Sequence, residues 1–236
     1  MSNSYFEFKQ FVICHDQCAM KVGTDGVLLG AWTEVESGVR RLLDIGTGSG
    51  LIAIMLAQKC GAEIVGIDID SDAAKQAQSN ADISPWKERI QVFQADVRSF
   101  APKDSFDLIV CNPPFFTESL LCPDRKRNEA RHNDSLPFDV LIHKVSEWLS
   151  NNGLFNVILP AKNLNMFIQC AWESDLNLYR KCLVSSKSDL APKRILLSFR
   201  KGPAPYPASE SLVVRNVDGT YTDEYKRLTK DYYLYF

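Results

Sequence analysis

RLLDIGTGSGLIAIMLA, residues 41–57, reads as a buried strand, a glycine-rich bend and an apolar helix in direct succession. Residues 41–45 are apolar enough for a strand covered on both faces, and 51–57 carry no helix-breaking Gly or Pro. Glycines at 46, 48 and 50 separate the two. Glycine adopts positive φ without penalty and lets the backbone approach a ligand closely, while a helix N-terminus favours a carboxylate or phosphate. Outward from this unit the same alternation continues. Strands are expected at 63–68, 90–95, 106–111 and 154–159. Helices are expected from 71–78, capped by Ser71 or Asp72, and at about 136–149 and 161–174. An Asn151-Asn152-Gly153 turn precedes the fifth strand. Runs at 176–186 and 194–201 and a weaker one at 210–217 read as late strands, with a loop at 202–208. Near-continuously apolar strands separated by helices argue a parallel sheet covered on both faces. The late strands lack a long helix between them, so an antiparallel edge is expected.

Composition narrows the function classes. The 236 residues are 45% hydrophobic and 24% charged with a formal net charge of −2, so any nucleic-acid surface has to be local. Seven scattered cysteines complete no four-ligand zinc set and read as reduced thiols; no metal is expected. No apolar run approaches the roughly 18 residues of a membrane span, and the start lacks the layout of a secretion signal. A single domain over 1–236 is expected, with 1–38 covering the site and 39–236 forming the core.

In a parallel sheet ligands gather beyond the carboxyl ends of the strands. The glycine bend lies there. Asp68, 20 residues past Gly48, ends the second strand and is placed to accept both hydroxyls of a ribose. Asp96, ending the third, suits an adenine amino group, with Val97 as a flat apolar neighbour. The fourth strand runs DLIVCNPPFF, residues 107–116. Two prolines stop it, fix φ and hold Asn112 extended on a stiff turn, with Phe115 three residues on. An amide oxygen, the Pro113 carbonyl and a ring suit a planar molecule with an exocyclic –NH2. The dinucleotide fingerprint wants Gly or Ala at 51, where Leu stands, which counts against a nicotinamide oxidoreductase or a noncatalytic nucleotide module.

The G-x-G-x-G bend after Asp44, with Asp68, Asp96 and Asn112-Pro113-Pro114-Phe115, resembles the class I S-adenosylmethionine-dependent methyltransferases. Further blocks narrow the resemblance to the bacterial tRNA (adenine-N6)-methyltransferase family acting on valine tRNA at nucleotide 37. They are 8–11, 18–32, NEARH at 128–132, APKRILLSF at 191–199 and YTDEYKRLTKDYYL at 221–234. The resemblance implies an α/β Rossmann-like fold, with a mostly parallel seven-stranded sheet, helices on both faces and an antiparallel edge. It implies S-adenosyl-L-methionine as cofactor, tRNA as partner and a cytoplasmic enzyme, with no membrane and no obligate protein partner. Asn112, Pro113 and Phe115 are the expected catalytic residues. Thr24, Asp25, Asp44, Gly46, Gly48, Gly50, Asp68, Ile69, Asp96, Val97 and Asn112 are expected on the cofactor. The basic run at 124–132 would rim the entrance, with Arg125, Lys126, Arg127, Arg131 and His132 on phosphates, helped by Lys193 and Arg194. His15, His143 and the tyrosine-rich tail are read as structural. Rival readings are a release-factor glutamine methyltransferase, which usually carries an N-terminal helical domain, and a DNA adenine methyltransferase, which normally adds a recognition domain.

Overall fold

A computed structural model describes residues 3–18, 21–114 and 136–235. A short hairpin, β1 (Tyr5–Glu7) and β2 (Val12–Cys14), leads to α1 (Thr24–Trp32). The alternating half follows as β3 (Arg41–Ile45), α2 (Leu51–Lys59), β4 (Glu63–Asp68), α3 (Ser71–Asp82), β5 (Ile90–Gln94) and β6 (Phe106–Cys111). Beyond it come α4 (Phe138–Trp148), β7 (Leu149–Pro160), α5 (Leu164–Glu173), β8 (Leu176–Lys187), β9 (Arg194–Lys201), β10 (Ala208–Arg215) and α6 (Asp223–Thr229).

Among the described residues the main sheet holds eight strands, in the order β10-β8-β9-β7-β6-β3-β4-β5. The seven-strand expectation falls one short because the weak run near 210 joins the edge as β10, parallel to β8. The reversed strand is not at the edge. β9 lies inside the sheet, antiparallel to both β7 and β8. Alternate residues of each strand face opposite cores: Leu42 of β3 joins the cluster under α1 and α2, while Leu43 and Ile45 join the cluster under α4 and α5.

Local signals place the ends. Asp70, one residue before the expected caps, is the N-cap of α3, and its Oδ1 accepts the N–H groups of Asp72 and Ala73 at 2.8 and 3.3 Å. The Asn151-Asn152-Gly153 turn lies within β7 as an irregularity, with Asn152 at φ 63°. The pairing register jumps there, from Phe106↔Leu149 to Leu108↔Leu154. The tyrosine tail packs inward: Tyr225 and Tyr232 are buried, the Tyr232 hydroxyl donates to the Met55 carbonyl at 3.1 Å, and Tyr233 stacks on Phe8.

Candidate active site

β3 delivers its chain into the glycine bend at the carboxyl end of the sheet. Gly46, Gly48 and Gly50 sit at φ 66°, 57° and 79°. The Gly46 and Thr47 N–H groups donate to the Ile67 carbonyl at 2.9 and 3.0 Å, which lays the bend across the end of β4. A Cβ on Gly50 would lie 3.3 Å from the Ala77 backbone and methyl, so the bend also rests on α3. The Gly48 N–H donates to Asp68 Oδ2 at 2.9 Å, and Asp68 Oδ1 accepts the Asp70 N–H at 3.0 Å. Each Asp68 oxygen thus spends one lone pair on backbone and keeps another.

Asp44 sits beneath the bend, fully buried. Its Oδ2 accepts the Thr47 hydroxyl at 2.7 Å and the Ala53 N–H at 3.2 Å, and its Oδ1 has no partner among the described residues. Burial pushes this carboxyl up to about 7, against the pull of the Thr47 and Ala53 hydrogen bonds. It lines neither of the cavities above it.

Two cavities meet over the bend. The first, about 450 Å³, is walled by Gly46, Gly48, Asp68, Asp96, Val97 and Asn112. Asp96 Oδ1 accepts the Arg98 N–H at 2.8 Å and its Oδ2 the Arg98 guanidinium at 3.3 Å. Val97 is nearly buried, and Ile69 is 59% exposed on the rim. Cys18 closes one side; burial and the neighbouring Asp68, Asp70 and Asp16 carboxylates push its thiol up to about 11, which keeps it protonated. The second cavity, about 370 Å³, is lined by residues 21–26 and 46–49 and by Leu51 and Ile52. Gly46, Gly48, Asn112 and Pro113 line both. Asn112 is there because β6 pairs with β3 in the register Cys111↔Ile45, so the residues that follow each strand emerge side by side. The Asn112 side chain is half-buried and makes no hydrogen bond to a described residue.

Thr24 and Asp25 open α1 and line the second cavity. Asp25 Oδ2 accepts from Arg194 Nε at 2.8 Å, which joins a residue expected on the cofactor to one expected on RNA. Lys193, the last residue before β9, lines a cleft that Thr24 and Asp25 also line. Phe115, Arg125, Lys126, Arg127, Arg131 and His132 lie outside the described residues.

Sequence reading missed Thr47, Cys18 and Arg98. Thr47 stands between two glycines of the bend, where the spacing asks for no particular residue, and only burial of its hydroxyl on Asp44 reveals its part. Cys18 reaches the cavity because the N-terminal hairpin is hooked to α3. Asn80 Oδ1 accepts the Cys14 N–H at 3.0 Å, and Asn80 Nδ2 donates to the Cys14 and Ser49 carbonyls, both at 2.8 Å.

A glycine bend at the centre of this strand order, with a reversed β9 between β7 and β8, defines a class I methyltransferase fold. Protein Atu636 from Agrobacterium tumefaciens, a predicted O-methyltransferase, shares it with a TM-score of 0.71 at 18% identity, over 88% of this chain and 96% of that one. So does magnesium protoporphyrin IX methyltransferase (ChlM) from Synechocystis PCC 6803, solved with bound SAM, with a TM-score of 0.50 at 15% identity over 70% of this chain and 71% of that one. The family model of the methyltransferase small domain matches residues 22–124. The tRNA1(Val) (adenine(37)-N6)-methyltransferase of Phocaeicola vulgatus is 47% identical over 99% of each chain. Its namesake in Escherichia coli O157:H7 is 41% identical over 98% of this chain and 95% of the relative. The chain belongs to the tRNA1(Val) (adenine(37)-N6)-methyltransferase family.

Proposed function

We propose that this protein methylates the exocyclic N6 amine of adenine 37 in tRNA1(Val), with S-adenosylmethionine as methyl donor. The observation that carries the reading is Asn112: its side chain, without a hydrogen-bond partner among the described residues, stands at the junction of the two cavities, on a corner stiffened by Pro113 and Pro114.

The residues present fit the donor. Asp68 keeps lone pairs for two ribose hydroxyls, Asp96 and Val97 offer an acceptor edge and an apolar face for adenine, and Ile69 covers the rim. The amides of the bend, with Thr24 and Asp25, suit the aminoacyl end, and the unpartnered Asp44 Oδ1 lies behind them. When bound, S-adenosylmethionine supplies an electrophilic sulfonium methyl group.

The remaining chemistry is the chain's own. An adenine amine is a weak nucleophile because its lone pair is delocalised into the ring. Asn112 Oδ1 accepts one N–H and the Pro113 carbonyl the other, which favours a pyramidal nitrogen with its lone pair turned toward the donor cavity. Phe115 stacks on the base, worth about 1–3 kcal/mol. Holding the amine in line at near-attack distance then supplies much of the acceleration. No general base is needed, because the proton leaves from the cationic amine after transfer. The target has to leave its stack, and RNA loops present such bases readily. Basic residues of the 124–132 run, outside the described residues, are the proposed contacts to the RNA backbone.

Residues 1–236 act as one methyltransferase unit in this reading, with 1–38 covering the site. No helix among the described residues is long and apolar enough to cross a membrane, and the tRNA substrate is the ground for reading the enzyme as cytoplasmic. Incubation with labelled methyl donor and bulk tRNA from a strain lacking the enzyme, followed by nucleoside digestion, should yield labelled N6-methyladenosine. Label appearing instead in DNA, or in a protein glutamine amide, would overturn the reading.

A further inference from the structure

We propose that the cleft between the β8–β9 turn and the end of β10 binds a nucleotide flanking the target adenine, its phosphate on Lys187 and Lys193 and its base or sugar on an apolar floor. This rests on the tRNA reading above. The cleft has a volume of about 370 Å³. Leu28, Val184 and Val214 form its buried floor, and Leu190, 42% exposed at the turn, forms a side wall. Lys187, Lys193, Arg194 and Arg215 supply four cationic groups, while Asp25 is the single acidic residue lining the cleft among the described residues. In a chain with net charge −2 this is a local concentration of positive charge beside apolar surface. That pairing is the chemistry of a nucleotide: anionic backbone at the rim, flat apolar face below.

The cations differ in what they have left to give. Arg215 is braced, donating to the Gly219 carbonyl and the Tyr221 hydroxyl, both at 2.7 Å, with its guanidinium 3.9 Å from the Tyr221 ring centre. Arg194 bonds Asp25. Lys187 and Lys193 make no side-chain hydrogen bond or ion pair to a described residue. Lys187 pairs with Arg215 across β8 and β10, so these charges stand in one row. The row lies at the carboxyl end of the parallel strands, as Asn112 does. Thr24 and Asp25 line both this cleft and the second cavity, so the cleft adjoins the cavities over the bend.

The test compares the full-length protein with a Lys187→Ala/Lys193→Ala variant by anisotropy of fluorescent tRNA across a salt series. It adds a Leu190→Trp variant titrated with short single-stranded RNA. The double variant should bind tRNA about tenfold more weakly and lower the slope of log K against log salt by about two. Its S-adenosylmethionine affinity by calorimetry should stay within about twofold and its melting temperature unchanged. Emission of the indole introduced by Leu190→Trp should be quenched by RNA. Wild-type protein that binds tRNA while the double variant matches it in affinity and slope overturns the cleft alone. Loss of slope without quenching of that indole overturns it too, because the lysines then act from open surface. Wild-type protein with no tRNA affinity overturns both this proposal and the function it rests on.

Discussion

The Gly48 amide and the Asp68 carboxylate are joined at 2.9 Å, so the end of the second parallel strand and the middle of the glycine bend move as one piece. One carboxylate both shapes the first cavity, the proposed donor site, and faces it. Asp68→Ala removes the charged acceptor and releases the bend. Hydrogen bonds to a charged group are worth about 1.5–3 kcal/mol, so S-adenosylmethionine should bind about ten- to a hundredfold more weakly by calorimetry. Affinity within twofold of wild type would remove Asp68 from the donor site.

Asn112 carries a separate load. Asn112→Ala deletes the proposed acceptor for the target amine and leaves the bend, Asp68 and Asp96 intact. Single-turnover transfer to tRNA should fall by about a hundredfold or more, the scale seen when one preorganised hydrogen bond is removed at a reacting centre. Donor affinity should stay nearly unchanged. Joint loss of affinity and activity in calorimetry would reject this division of roles.

Asp44 makes the ligand-free protein sensitive to pH. Burial raises its carboxyl from 3.8 to about 7, so between these values the folded protein keeps a proton that the unfolded chain releases. Its contribution to stability is complete below the lower value and is lost as pH rises through the upper one. Asp44→Asn keeps the acceptor for Thr47 and Ala53 and cannot ionise. Urea midpoints between about pH 5 and 8 should therefore fall with rising pH in the wild type and flatten in the variant. The gap should be a few kcal/mol, at about 1.4 kcal/mol for each tenfold change. Parallel pH profiles for the two proteins would refute the assignment.

Asn80 holds the N-terminal hairpin against both α3 and the bend. Asn80→Ala strips three hydrogen bonds and leaves the Cys14 and Ser49 backbone groups unmatched. A loss of about 2–4 kcal/mol in unfolding free energy follows. Amide exchange in residues 12–18 should quicken more than in β3 or β6, and uniform quickening would argue against a local hook.

Gly50 answers to two constraints at once. Its φ of 79° costs an L-residue about 1–2 kcal/mol, and a Cβ would press on the Ala77 backbone at 3.3 Å. Gly50→Ala should lower stability by about 2–3 kcal/mol and weaken donor binding. A melting temperature equal to wild type would show that the bend can shift away from α3.

What the sequence discloses and what it withholds divide by range. The β3–bend–α2 unit and Asp68 are legible because their signals are local: an apolar run, three glycines and an acid 20 residues on. Asn112 is legible because two prolines fix where its strand ends. The Asp25–Arg194 bond spans 169 residues and the Asn80 hook 66, and neither leaves a periodic trace. Strand count and order escape for a related reason. Residues 194–201 read as a strand from their own composition, but an interior slot for β9 comes from pairing with β7 and β8. Membership of β10 likewise depends on β8 offering an open side.

The reversal of β9 divides the protein's labour. Because β9 runs against its neighbours, the turn at 188–193 that feeds it opens on the same rim as Asn112, among strands that take no part in forming the bend. The turn meets the bend's side of the sheet where Arg194, the residue after it, holds Asp25 at 2.8 Å. The proposed substrate surface and the proposed donor site thus stand on different strands of one sheet, tied by that ion pair.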